Sequence, residues 1–263
     1  MFAEKTPEPD NTITPASLYM EALGTFGLCY FASMAVMMAD IHALPGVGNA
    51  LVQMFILGIL IYAGANISGA HYNGAVTISL MVSGHMHPKK GFFYLLSQLV
   101  GSLCASLLLL VFKSQYHGEN KFTSQLGYSH CATKNWSVGA CFFFEMISTM
   151  FLVAMVYRTA VNSTKPNNGV YGFCIAGILG VSVMTIGNIT GAALNPWRVI
   201  PSSILTGELW SGSYNYAYVY YIGCPIGGAF VGLFWRLLWQ EKIKDNKELK
   251  NQIDHEENLK LNN

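Results

Sequence analysis

Charge is what this chain has least of. Asp, Glu, Lys and Arg make up 11% of its 263 residues, against about 25% in an ordinary soluble domain, and 52% of the residues are hydrophobic. A chain so short of charge cannot clothe a water-exposed surface, so a lipid bilayer is its expected solvent. The formal net charge of +1 leaves no basic excess for phosphate backbones, and no nucleic-acid partner is expected. Cysteine is present but is not arranged as a disulfide framework: Cys29, Cys104, Cys141, Cys174 and Cys224 fall in apolar segments and only Cys131 in a polar connector. Those in the apolar segments read as packing residues. No nucleophile–base pair or cluster of metal ligands is in view, so the chain is expected to be no enzyme and to need neither cofactor nor metal. Residues 1–17 are polar and lack an apolar core, so no cleavable signal peptide is expected and the first span serves as its own insertion signal.

What the chain has is a repeat. Asn66-Ile67-Ser68-Gly69-Ala70-His71-Tyr72-Asn73-Gly74-Ala75 returns 122 residues later as Asn188-Ile189-Thr190-Gly191-Ala192-Ala193-Leu194-Asn195-Pro196-Trp197. Six apolar stretches, near 18–39, 47–67, 91–112, 137–157, 169–189 and 217–239, are long enough to cross about 30 Å of hydrocarbon. Two shorter runs, 73–83 and 195–206, are not, and read as half-membrane helices, tolerated at depth only inside protein or beside a wet cavity. Three crossings per copy force the second copy to enter upside down, so the half-helices come from opposite faces and are expected to meet N-terminus to N-terminus. The architecture is therefore an all-α membrane protein of six transmembrane helices and two re-entrant half-helices with inverted two-fold symmetry. Its domain spans 18–239, with halves 18–112 and 137–239 joined by an outer loop, 113–136, and with tails 1–17 and 240–263.

Lysine and arginine set the orientation. With both termini inside, eleven of them, including Lys89, Lys90, Arg158 and Arg236, lie on the inner side and three, Lys113, Lys121 and Lys134, on the outer. That distribution supports cytosolic termini. The tail from Gln240 onward is charged, with Ile243, Leu249 and Ile253 at loosely helical spacing, and reads as a solvated, partly helical tail. Asn135-Trp136-Ser137 matches a glycosylation sequon close against the fourth span. His42, His117, His130 and Cys131 lie in outer connectors and read as solvated loop residues.

Asn73 and Asn195 are placed at the inner ends of the half-helices, where unpaired N–H groups and the helix dipole concentrate positive potential. Two such ends repel cations, and the asparagine amides donate to passing water, so that a single file of water is turned outward from that point and a proton wire is broken. Arg198, one turn into the second half-helix, is a charge at membrane depth and hence a functional candidate. Glu21 and Glu145, the acids of the long spans, lie 52 and 50 residues before their asparagines and read as struts for the irregular approaches to the half-helices. Gln98 is a weaker polar strut. Gly58 and Gly180, each 15 residues before its asparagine, are expected at a close crossing of the second and fifth spans.

These residues resemble the aquaporin, or major intrinsic protein, family. Ser68 through Thr77 is similar to its first Asn-Pro-Ala box, and Gly191 through Arg198 to its second box with the following arginine. Glu21-Ala22-Leu23-Gly24-Thr25 and Tyr218 through Gly228 are similar to its first and sixth spans. The resemblance covers roughly 18–239 and implies a right-handed bundle with a pore in each subunit and a homotetramer. It also implies an outer constriction at Gln53, Val183, Ala192 and Arg198, and a midplane formed by Asn73, Gly74, Asn195, Pro196 and Trp197. Two residues depart from the pattern: Gly74 stands where the family has Pro, and Trp197 where it has Ala. We read them as a volume-compensating pair. The constriction lacks the aromatic and histidine of strict water channels, yet Val199 stands where glycerol facilitators carry Asp. Water is the favoured solute, with glycerol, urea and other small neutral molecules open. A non-conducting junction protein of the same fold and an ion-coupled transporter are the other two readings.

Overall fold

The computed structural model describes residues 10–41, 44, 46–117, 126–127, 129–131, 135–161, 169–207 and 216–238. His42, Lys121, Lys134 and the tail from Gln240 onward lie outside the described residues. Among the described residues six helices are long and apolar enough to cross a membrane: α1 (Pro15–Asp40), α2 (Gly46–Ser68), α4 (Pro88–Ser114), α5 (Val138–Val161), α6 (Tyr171–Thr190) and α8 (Val219–Leu238). Between them sit the short α3 (Gly74–Ser83) and α7 (Ile200–Leu205). Among the described residues the only β pairing is an isolated bridge between Asp10 and Met86.

Local chemistry explains the boundaries. The Thr14 side chain accepts from Ser17 N and Ser17 reciprocates, with Pro15 opening α1, a capping box that satisfies two orphan donors. His87 caps α4 ahead of Pro88, and Ser137 caps α5 by accepting from Ala140 N. Asn73 caps α3, which ends on the left-handed Gly84. The last turn of α5, Tyr157–Val161, and the first turn of α8, Val219–Gly223, are π-helical.

The second half-helix differs from the uniform run expected over 195–206. It begins as a 3₁₀ turn, Pro196–Arg198, before α7. Pro201 has no N–H with which to donate to the Trp197 carbonyl four residues back. That carbonyl instead accepts from Ser102 Oγ and lies 3.8 Å from Cys29 Sγ.

Packing follows the repeat. α1 lies against α2 and α4, α5 against α6 and α8, and α2 against α6 across the pseudo-axis. Each half-helix also crosses over: α3 packs on α5 of the other half, and α7 on α4. Gly58 and Gly180 lie at the α2–α6 crossing, where a Cβ on Gly58 would meet that of Ala176 at an ordinary 3.4 Å and one on Gly180 that of Met54 at a tight 3.1 Å. The closest approaches to backbone are elsewhere. A Cβ on Gly101 would lie 2.0 Å from the Ala22 carbonyl, one on Gly227 2.4 Å from that of Met146, and one on Gly228 2.4 Å from that of Ala75. Spacing from an asparagine does not reveal which helices approach backbone to backbone.

The cysteine reading is also corrected: Cys131 and Cys141 form a disulfide. Cys141 belongs to the first turn of α5, within reach of the connector, and the Cα atoms are 6.1 Å apart. Cys29 and Cys224 are buried thiols in the interior, and Cys104 is exposed.

Candidate functional site

Both re-entrant loops take an unusual backbone path, and they take it alike. Gly69, Ala70 and Tyr72 have φ of 88°, 52° and 49°; their repeat mates Gly191, Ala192 and Leu194 have 81°, 48° and 52°. Left-handed non-glycine residues cost about 1–3 kcal/mol each, so each loop needs a compensating anchor. Glu21, wholly buried on α1, accepts from His71 N and Tyr72 N at 2.9 Å each and from Ser68 Oγ at 2.7 Å. Glu145 on α5 accepts from Ala193 N at 3.0 Å, Leu194 N at 2.8 Å and Thr190 Oγ1 at 2.6 Å. Hydrogen bonds to a charged group contribute about 1.5–3 kcal/mol apiece, enough to offset the twist they impose. Two tyrosines hold the last residues of α2 and α6, where the loops begin: Tyr94 OH donates to Ser68 O at 2.9 Å and Tyr220 OH to Thr190 O at 2.6 Å.

The loops deliver the two asparagines to each other. Asn73 Nδ2 donates to Leu194 O, and Asn195 Nδ2 donates to Tyr72 O, both at 2.8 Å. Each Oδ1 meanwhile caps its own half-helix, accepting from Ala75 N at 2.9 Å and from Trp197 N at 3.1 Å. A primary amide carries two N–H groups, and each asparagine has committed one of them. Both residues line a cavity of about 320 Å³. Its walls are apolar side chains such as Leu57, Ile61, Val76, Leu152 and Ile175, and its polar groups include His71, Asn73, Asn195 and Arg198.

Arg198 is almost fully buried, and its Nη1 donates to Ala192 O at 2.8 Å and Ala193 O at 3.4 Å. Acids and guanidinium are thus held by backbone rather than by each other. A second cavity, about 530 Å³, opens on the other side of this layer and is lined by Asp40, Asn49, Ser129, His130, Val183 and Asn188 among others. Gln53 and Ala192 are fully buried and line neither cavity. On α2, Asn49 faces the larger cavity and Leu57 the smaller, which places Gln53, one turn from each, between them. Gln53 Nε2 donates to Asn49 Oδ1 at 2.8 Å, and its buried Oε1 has no partner among the described residues.

Position 74 is filled from the other half. A Cβ there would lie 2.9 Å from Trp197 Nε1, 3.0 Å from Pro196 Cγ and 3.2 Å from Trp197 Cε2. Several residues of the site were not singled out from the sequence. Ser68 and Thr190 sat in register in the repeat, a signal that was available. Tyr72, Tyr94 and Thr77 gave none, because their roles depend on helices distant in the chain.

Comparison with known proteins agrees with this geometry. The family model described as Major intrinsic protein matches residues 13–235. A probable aquaporin of TIP type from Medicago truncatula is 31% identical over 194 residues, 73% of this chain and 72% of its own length. Aquaporin A of Dictyostelium discoideum is 30% identical over 233 residues, 86% of this chain and 79% of its own. The crystal structure of the aquaglyceroporin from Plasmodium falciparum superposes with a TM-score of 0.75 at 23% identity, covering 87% of this chain and 98% of that one.

Proposed function

This chain belongs to the major intrinsic protein family, a family of channels rather than enzymes, and from that premise we propose that it conducts water and small neutral solutes while turning ions and protons away. The observation that supports this most directly is the reciprocal pair of asparagine bonds. It fixes two helix starts, and the free N–H of each amide, at one point of a largely apolar cavity. A water there accepts from both asparagines and so cannot pass a proton along. The guanidinium of Arg198 adds a fixed positive charge in the same cavity. Gln53, Val183, Ala192 and Arg198 form the narrowest layer, between the two cavities, where Val183 and Ala192 supply an apolar side and Arg198 the donor. Water is the preferred solute, and glycerol and urea follow where that layer admits them. The relatives named as aquaporins and the structural neighbour named as an aquaglyceroporin point the same way.

The functional unit is a homotetramer in a plasma or vacuolar membrane with both termini cytosolic. The disulfide between Cys131 and Cys141 suits a loop facing an oxidising compartment, which is the outer side in this orientation. Reconstituted liposomes test the reading. Shrinkage in sorbitol should be many times faster than in empty vesicles, swelling in glycerol and urea measures the solute range, and an imposed pH gradient should decay no faster than without protein. A pH gradient that collapses with the protein present would overturn proton exclusion. Water flux equal to that of empty vesicles would favour the non-conducting reading, and sodium- or proton-dependent uptake the transporter.

A further inference from the structure

Trp197 lines neither cavity, so conduction as described makes no use of its side chain. An indole N–H inside a membrane protein needs an acceptor, and this one donates to Gln98 Oε1 on α4 at 2.8 Å. Gln98 is wholly buried, and its Nε2 donates to Glu21 Oε2 at 2.8 Å and to Thr77 Oγ1 at 2.9 Å. Glu21 holds His71 N and Tyr72 N, and Thr77 Oγ1 lies 3.1 Å from His71 Nδ1. An unbroken polar chain therefore runs from the start of the second half-helix, through α4, to the loop that presents Asn73. The orientation of the Gln98 amide is forced: turned over, its N–H₂ would face the indole N–H and its oxygen the Glu21 carboxylate. Four residues beyond Tyr94 and Tyr220, which hold matching carbonyls, Gln98 corresponds to Cys224, whose thiol lies 3.6 Å from Glu145 Oε2. Ala75, the repeat mate of Trp197, has no side-chain donor, so among the described residues the full chain exists on one side of the pseudo-axis only.

The same indole stands where a side chain at position 74 would go, 2.9 Å from a Cβ built there. One residue thus fills the gap left by glycine and carries a donor that alanine would not have. We propose that Trp197 is a positioning residue: its N–H, acting through Gln98 on Glu21, keeps the first re-entrant loop in register with the second half-helix, in place of the ring absent at position 74.

The test uses the full chain with two sets of substitutions. Trp197→Phe keeps the ring and removes the donor; Gln98→Leu removes the acceptor; a third variant carries both. Each single change should lower water permeability per folded channel by roughly three- to tenfold, since it strands a buried polar partner. Each should also raise the glycerol-to-water permeability ratio, because a loosened Asn73 loop admits larger solutes. A loss of folded protein alone would leave that ratio unchanged. Because the two residues act in one chain, the double variant should be no worse than the worse single one. In the second set, Gly74→Pro alone should lower the thermal midpoint, and Trp197→Ala added to it should restore most of the loss. Parent-like flux and ratio in Trp197→Phe would overturn the proposal. So would multiplicative losses in the double variant, or a Gly74→Pro/Trp197→Ala protein no more stable than Gly74→Pro. Thermal midpoints read the coupling without any flux. A parent that conducts nothing, yet shows non-additive midpoints for Trp197→Phe and Gln98→Leu, would sink the channel reading and leave this one standing.

Discussion

Tyr72 shows how much a single residue carries. Its carbonyl is the acceptor for Asn195, and its backbone is left-handed. Its ring is wholly buried in a slot between α1 and α2, with the hydroxyl donating to Leu60 O at 3.2 Å. The slot exists because Gly24 and Gly64 line it: a Cβ on Gly24 would lie 2.1 Å from the ring and one on Gly64 1.8 Å from the hydroxyl oxygen. Overpacking of this kind costs about 1–3 kcal/mol. Gly64→Ala is therefore expected to lower the thermal midpoint in detergent, and Tyr72→Phe in the same background should recover part of the loss by removing the oxygen that collides. At this scale the sequence was legible where the repeat doubled its signals. Asn73 with Asn195, Glu21 with Glu145 and Ser68 with Thr190 could each be seen as a pair. Tyr72 could not, because its slot is assembled from glycines 48 and 8 residues away in the chain that show their purpose only when packed.

Among the elements, the connectors hold more structure than their polarity suggested. The disulfide from Cys131 to Cys141 ties the segment carrying Ser129 and His130 to the start of α5. Ser129 Oγ in turn donates to Gly191 O at 3.1 Å, so the tie reaches the second re-entrant loop. A closed loop of this size contributes about 2–3 kcal/mol. Cys131→Ser, or reduction of the parent, should lower the thermal midpoint, and the two treatments should not add. On the other face, residues ahead of α1 strap down the turn after α3: Asp10 N donates to His85 O at 3.3 Å and His87 N to Asp10 O at 3.1 Å, with the Asp10 carboxylate paired to Lys90. Partial burial pushes the Asp10 carboxyl up, but the Lys90 ammonium and the Thr12 N–H outweigh it and hold it below the ordinary value. A depressed carboxyl stabilises the fold above its unfolded pKa, about 4, and loses that contribution as pH falls through the lower folded value. Asp10→Asn should thus be less stable than the parent at pH 7, with the difference shrinking toward pH 3 in midpoints measured across that range. The long spans were readable from apolar length alone. The break in the second half-helix was not, because it turns on one missing N–H at Pro201.

For the molecule as a whole, symmetry was legible and sidedness was inferred from charge. In sealed membrane vesicles that expose the cytosolic face, protease should remove a tag placed after Asn263 and reach one placed within 113–136 only once the vesicles are opened; the reverse pattern would invert the orientation. The outer surface fits lipid, with Phe55, Ile59, Phe151 and Phe230 more than half exposed.

The crossed seating of α3 and α7 has a consequence for biosynthesis. Glu21, Ser68, Thr77 and the N–H₂ of Gln98 bond one another from within the leading half of the chain, so that much of the network can form as soon as that half leaves the ribosome, with the Gln98 oxygen left to wait for Trp197. The amide of Asn73 cannot be satisfied then: its acceptor, Leu194 O, is made more than a hundred residues later. Until then a polar side chain waits at membrane depth for a partner still in the exit tunnel, and the pathway is completed only when the trailing half folds back onto the leading one. Two fragments cut in the 113–136 connector and made together should accordingly find each other, while either alone should be left with its asparagine unanswered.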